Sequence, residues 1–409
     1  MRAKKYIHDV GSHPERLKAA LLGVLILLIG GGVFWWQNRP PQEEASPSES
    51  AVQQRTEPEE STVTELKGKY LFSGTVVPAR AVENEARRAD GTVDYAQPFS
   101  KLDTFNPEQY DGWLIDFECP MTTDDIPYRT QVQNTVFNCP DEFAPEMAEY
   151  FTHANVANNH TRDQGDDGFT ETVEHLEQAE IQTIGHWDPR ETDEICEVVE
   201  LGVRLQKSAG AEEKGTLPIA MCTWHYFEKD ATDEELAVMD EYADIMPVFA
   251  FMQVGTEYRA GPDQKQIDLA HRLVDNHDPE FLIQNSAHWV QNTESYKGKL
   301  VVYSTGNFIF DQLDDETNRG LNIEAEMTVP YDQNVQEWLD LGKTCKPRGD
   351  NCLRIARELG LEKVDISLSY DAIGSSTGYQ RLTQKAAPDL QAAIEQRADW
   401  EETINGLSN

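Results

Sequence analysis

The stretch VANNHTRDQGDDGFTETVEHL, residues 156–176, decides how this chain is read. An apolar step runs into two amides and an imidazole, Asn158, Asn159 and His160, and then into Asp163, Asp166 and Asp167. Phe169, Val173 and Leu176 follow at helical spacing. Strand, polar loop and helix make the unit of an α/β fold, and in open α/β sheets chemistry collects at the carboxyl ends of the strands. The helix is expected to start near Gly168, with Asp166 and Asp167 solvated just ahead of it and favoured by its N-terminal dipole. Asp163 is expected to accept from a nearby amide or imidazole and so hold Asn159 and His160 toward a cleft.

The same pattern recurs on both sides of this stretch. The β-rich runs KYLFSGTVV, GWLIDFEC, PIAMCTWHYF, IMPVFAFMQV, EFLIQNS, KLVVYSTGNFIF, LNIEAEMTV and VDISLSY alternate with helix-period segments such as DEFAPEMAEYFTHA, ATDEELAVMDEYA and DQKQIDLAHRLVDNH. Several runs are apolar throughout, as expected of strands covered on both faces. Polar groups gather where the runs end: Asp116 and Glu118, then Asn158 to His160, then Gln253 and Glu257, then Asn285, Ser286 and His288, then Asn307. One Asn or His after a strand is ordinarily a turn or capping residue, but five such loops in succession point to a shared site.

The chain has 409 residues, 39% of them hydrophobic, enough for a substantial core. Seventy-three acidic residues against 35 basic ones give a formal charge of −38, which excludes nucleic acid as a natural partner. Ala19 to Trp36 is an uncharged apolar run of 18 residues, just long enough to cross a bilayer. Basic residues crowd its N-terminal side, so segment 1–18 is expected to stay cytoplasmic, 19–36 to anchor the chain as a single pass in the cell membrane, and the main domain to lie outside. A cleavable signal peptide is the alternative, but no small-residue cleavage box follows. Residues 37–66, rich in Pro, Glu and Ser, read as a disordered linker, 67–385 as the α/β domain, and 386–409 as a terminal helix. Cys119, Cys139, Cys196, Cys222, Cys345 and Cys352 suit an oxidising compartment, and their order suggests nearest-neighbour disulfides.

The order of motifs over Tyr70 to Asn318 resembles the CapA family of capsule and poly-γ-glutamate biosynthesis proteins, whose domain is related to the metal-dependent phosphoesterases. The stretches that carry the resemblance are FSGTVV, DFECP, ANNHTRDQG, MQVGTEY, QNSAHWVQ and YSTGNFIFD. It implies a two-sheet sandwich flanked by helices. It also implies that Glu118, Asn159 and His288 are metal ligands, that Asn159, His160 and Asp163 form the catalytic group, and that Thr75, Gln253, Glu257, Ser286 and Asn307 line the binding cleft. Carboxylate, amide and imidazole together suit a divalent ion such as Mn²⁺, Mg²⁺ or Zn²⁺.

The chain departs from the family pattern at the ligands themselves. Thr75 stands where the family has Asp, Gln253 where it has His, and Asn285 and Ser286 replace two imidazoles. Neutral ligands weaken a two-metal centre, so one ion or a metal-free polar pocket fits these residues better. Two functions follow from the resemblance: a metal-dependent hydrolase or transferase in capsule or poly-γ-glutamate synthesis or anchoring, or a non-catalytic scaffold of an envelope assembly. The partners implied are the membrane, other polymer-synthesis subunits, and the anionic polymer or its precursor.

Overall fold

The computed structural model describes residues 62–408, apart from 209, 228 and 346–350. The expected cytoplasmic segment, the membrane anchor and nearly all of the linker lie outside the described residues, among which no helix is long and apolar enough to cross a membrane. The folded domain reaches back before Lys67: residues 63–66, expected as linker, are already strand.

Sixteen strands form among the described residues. They are β1 (Val63–Val76), β2 (Gly112–Phe117), β3 (Met121–Thr122), β4 (Cys139–Pro140), β5 (His153–Asn155), β6 (Gln182–Ile184), β7 (Cys196–Lys207) and β8 (Glu212–Cys222). The second half of the chain adds β9 (Val248–Gln253), β10 (Phe281–Asn285), β11 (Thr293–Tyr296), β12 (Lys299–Val302), β13 (Asn307–Ile309), β14 (Arg319–Pro330), β15 (Ser367–Thr377) and β16 (Thr383–Lys385). Fourteen of them make one mixed sheet, and β3 pairs with β4 separately.

The length of β1 explains this architecture. At about 3.3 Å per residue a strand this long has room to serve two pairings in succession. Its first part lies between β7 and β14, antiparallel to both. Its second part pairs in parallel with β2, and Thr75 reaches Asn307 of β13. From β1 the sheet runs one way through β7, β8, β9, β10, β12 and β11, another through β14, β15 and β16, and a third through β2, β5 and β6. The two sheets expected from the sequence are thus hydrogen-bonded into one, because β1 belongs to both halves.

Period-two alternation divides the side chains between two cores. Tyr70, Phe72 and Leu114 face one, and Leu71, Trp113, Ile115 and Phe117 face the other. The Phe72 ring meets Phe249, Phe251 and Phe281 edge-on at 6.5, 6.1 and 5.1 Å, so the β1–β2 half packs face to face on the β9–β10 half. On the opposite face Trp113 packs against Phe105, Phe151 and Phe308.

The helix after the opening stretch spans Gly165–Gln178 and buries Phe169, Thr172 and Leu176. It begins three residues before the expected Gly168, where Gly165 adopts φ 78°. Asp166 and Asp167 therefore sit inside its first turn, not ahead of it, and both are exposed. The segment expected as one terminal helix forms two, Pro388–Arg397 and Trp400–Leu407, broken at Asp399 with φ 53°. Ala398 accepts from the Thr293 hydroxyl at 2.9 Å, and Ile394 and Trp400 enter the first core, so this segment is part of the same folded body. Disulfides join Cys119 to Cys139, Cys196 to Cys222 and Cys345 to Cys352.

Candidate functional site

Parallel pairing brings Thr75, Asp116 and Asn155 level at the carboxyl ends of β1, β2 and β5. In the facing half of the sheet, Gln253 and Asn285 are level at the ends of β9 and β10. The two rows meet at Asp116, which is fully buried. Its Oδ2 accepts from the Thr75 hydroxyl at 3.1 Å, from Asn285 Nδ2 at 2.8 Å and from Gln253 Nε2 at 3.5 Å. Its Oδ1 accepts from Asn155 Nδ2 at 3.4 Å.

The surrounding bonds fix which end of each amide faces the acid. Asn285 Oδ1 accepts from Ser304 and Thr305, and Asn155 Oδ1 accepts from the Thr223 hydroxyl at 2.6 Å and the Ala157 amide at 2.9 Å. Both NH₂ groups are thereby turned toward Asp116. Burial, and after it the negative charge of Glu118, hold the Asp116 carboxyl up to about 7.

Glu118 lies two residues beyond Asp116 and is 2% exposed. Three acceptor oxygens in this part of the molecule are buried without a protein partner: Glu118 Oε2, Asn159 Oδ1 and Gln253 Oε1. An unpaired buried polar atom costs on the order of 1–3 kcal/mol, so each of the three, which follow or end β2, β5 and β9, is open to a water or a ligand.

The rim is built by the opening stretch. Asn158 Oδ1 accepts from the amides of His160 and Thr161, while its Nδ2 donates to the Phe117 carbonyl, tying the loop to β2. Asp163 Oδ2 accepts from the Phe137 amide at 2.7 Å and lies 2.8 Å from His160 Nδ1. A carboxylate there favours the proton on Nδ1 and leaves Nε2 as the nitrogen that can exchange a proton. Burial works against protonating His160, but the hydrogen bond to Asp163 and the charges of Glu118, Asp163 and Glu257 outweigh it and raise the imidazole above its usual range.

Beyond the Phe137–Phe310 ring pair, which packs at 5.8 Å, His288 Nδ1 lies 2.8 Å from Asn307 Oδ1. Asn307 donates to Gln312, which donates to the Tyr258 hydroxyl, and Tyr258 stacks on His288 at 5.5 Å. His288 holds φ 58° and Ser286 φ 108°, left-handed values that non-glycine residues adopt at a cost and that concentrate at functional sites.

The sequence-predicted residues thus divide into groups. Thr75 and Gln253 meet at Asp116, Glu118 and Glu257 both act electrostatically on His160, and His160 pairs with Asp163. His288 pairs with Asn307. Ser286 does not face the acids, since its hydroxyl donates to the Gly255 carbonyl. Glu257 is exposed. Asp116, noted in the sequence only as a strand-end acid and given no role, is the centre, and its buried amide partner Asn155 was not singled out; the available signal was an acid at the end of β2, two positions before Glu118.

Comparison with known proteins gives the chain's family. Residues 69–312 match the family model described as bacterial capsule synthesis protein PGA_cap. The chain belongs to the PGA_cap family. Every site residue named above, from Thr75 to Gln312, falls inside the PGA_cap region. The chain is 26% identical over 255 residues to the capsule biosynthesis protein CapA of Bacillus anthracis, covering 58% of this chain and 59% of that one. It is 24% identical over 253 residues to the PGA biosynthesis protein CapA of Bacillus subtilis (strain 168), covering 59% and 63%. The match therefore spans less than two thirds of these relatives' length. Among solved structures, the calcineurin-like phosphoesterase YfkN from Bacillus subtilis is similar at a TM-score of 0.40 and 11% identity, over 84% of this chain and 100% of that one.

If an ion is held here, the chemistry of the donors favours one over two. A carboxylate oxygen with two amide oxygens, Glu118, Asn159 and Gln253, suits one hard divalent ion of the Mg²⁺ or Mn²⁺ type. A second ion beside Asp116 does not fit, because hydroxyl and amide hydrogens already point at that carboxylate and repel a cation.

Proposed function

We propose that this PGA_cap protein is a membrane-anchored, extracytoplasmic enzyme in the synthesis or anchoring of an anionic γ-glutamyl polymer, working with one divalent ion where its relatives' pattern provides for two. The observation that carries the reading is the trio of unpartnered oxygens, Glu118 Oε2, Asn159 Oδ1 and Gln253 Oε1, inside the family region. The 18-residue apolar run of residues 19–36 supports the anchor and the outward-facing domain.

A bound ion would supply Lewis acidity, polarising a carbonyl or phosphoryl oxygen. The chain's own groups do the rest. Asp163 fixes His160 so that Nε2 holds or accepts a proton at the cleft, the arrangement of an oriented general base. The packed halves of the sheet bury Asp116 and Glu118, which strengthens every charge interaction around them.

The test is made in cells that produce the chain, with cell-associated γ-linked glutamate polymer as the readout. Glu118→Gln and His160→Ala, at unchanged protein level, are expected to abolish it. Full polymer in both variants sinks the enzyme reading, and if deletion of the chain alone removes polymer, the protein is a scaffold.

A further inference from the structure

The rim of the cleft holds a cation that the chemistry above does not use. Arg80 follows β1 and has φ 51° and ψ −116°, a backbone conformation that a non-glycine residue adopts at a cost. Asp311 accepts from its Nε at 2.9 Å and from its Nη2 at 2.6 Å, engaging one edge of the guanidinium. Phe137 lies 4.4 Å below the guanidinium and Phe310 5.9 Å away. These rings continue into the site: Phe137 packs edge-on against His160 at 4.5 Å, and Phe310 packs on His288 at 5.3 Å. Arg80 therefore stands against the two aromatic walls that carry the cleft's imidazoles. Its charge also reaches Tyr258, together with those of Glu118 and Glu257.

Two of its hydrogen-bonding nitrogens are spent on Asp311, whereas Nη1 donates to no protein atom among the described residues and is not sealed from solvent. A planar fork with one edge fixed and one edge open is preorganised for a second carboxylate. The need for it follows from the net charge: a chain at −38 repels an anionic ligand unless a local cation compensates. Asp116, Glu118, Asp163 and Glu257 make the site's carboxylates numerous, and beyond any bound ion the charge of Arg80 at the rim offsets them.

We propose that the open Nη1 edge of Arg80 is the anchor for a substrate carboxylate. The choice of a γ-glutamyl ligand rests on the function proposed above; the anchor itself rests on the geometry. Asp311 is then a positioning residue, holding the fork in place.

Calorimetric titration of the full chain in detergent with glutarate tests the anchor apart from the polymer. Arg80→Gln is expected to weaken glutarate binding about 10- to 100-fold, the usual worth of a charge-assisted pair. Asp311→Asn, which loosens the latch but keeps the cation, is expected to stay within about threefold of the parent. Equal losses in the two variants would make Arg80 purely structural and overturn the proposal, as would unchanged binding in Arg80→Gln or no glutarate binding by the parent chain. Inorganic phosphate displacing glutarate at lower concentration than glutarate itself requires would overturn the carboxylate assignment. A γ-linked glutamyl oligomer should bind in preference to its amidated counterpart, with the preference lost in Arg80→Gln. If glutarate obeys these expectations and the oligomer does not bind, the anchor stands and the polymer reading falls.

Discussion

Asn285 donates its side-chain amide to the carboxylate of Asp116 at 2.8 Å, joining the end of β10 to the end of β2 across the two halves of the sheet. The same NH₂ reaches the Thr75 hydroxyl at 2.8 Å. A hydrogen-bond donor thus occupies the side of Asp116 where a cation would otherwise balance its charge. Asn285→Ala should remove both bonds from a fully buried position and cost about 2–4 kcal/mol, read as a lower urea midpoint. A loss below about 0.5 kcal/mol would mean that the network is not structural.

The two sets of acids in the opening stretch are separable. Asp163 holds His160 Nδ1 and the Phe137 amide, so Asp163→Asn should lower the imidazole titration seen by NMR and disorder the rim. Asp166 is exposed in the first helical turn, and Asp166→Ala should cost at most about 1 kcal/mol. An unchanged His160 titration in Asp163→Asn would break the link between them.

Two buried groups oppose one another as the pH falls. Asp116, held up to about 7, binds its proton more readily folded than unfolded, so the folded state gains on it between pH 7 and the ordinary carboxyl value near 3.8. Burial pushes His153 down to about 4, so it binds its proton less readily folded than unfolded, and its contribution is lost between pH 6.5 and 4. Relative to the parent, Asp116→Asn should lose stability more steeply on acidification and His153→Gln less steeply, in urea melts from pH 7 to 4. Parallel curves for the three proteins would contradict both assignments.

Much of this was legible in the sequence where the chemistry is local. ANNHTRDQG carries Asn158, His160 and Asp163 within a few residues, so their mutual bonds follow from the loop itself. The Asp116 network was not legible, because its partners Thr75, Gln253 and Asn285 are 41, 137 and 169 positions away and only the sheet pairing brings them level. β7 escaped notice because CEVVELGVRLQK mixes charges with apolar residues, yet pairing with β8 and β1 buries its alternate positions. The break at Asp399 is likewise tertiary: the two terminal helices look continuous until Ala398 is tied to Thr293. Nothing in PARAV marks Arg80; its role depends on Phe137 and Asp311, which only the fold brings near.

The Cys119–Cys139 disulfide closes a loop with a sequence separation of 20, beginning one residue after Glu118. Replacing both cysteines by Ser should cost about 3 kcal/mol by the loop-entropy relation. It should also weaken any ion held by Glu118, because the anchor of its loop is gone. Ion affinity that survives while stability falls would show that β2 alone positions Glu118.

Metal content of the purified full chain, measured by elemental mass spectrometry after exposure to Mn²⁺ and gel filtration, tests the central claim most directly. Glu118 Oε2, Asn159 Oδ1 and Gln253 Oε1 should hold one ion per chain, lost in Glu118→Gln and retained in Asn307→Ala, whose position is at the rim. Two ions per chain, none, or one that survives Glu118→Gln would contradict it.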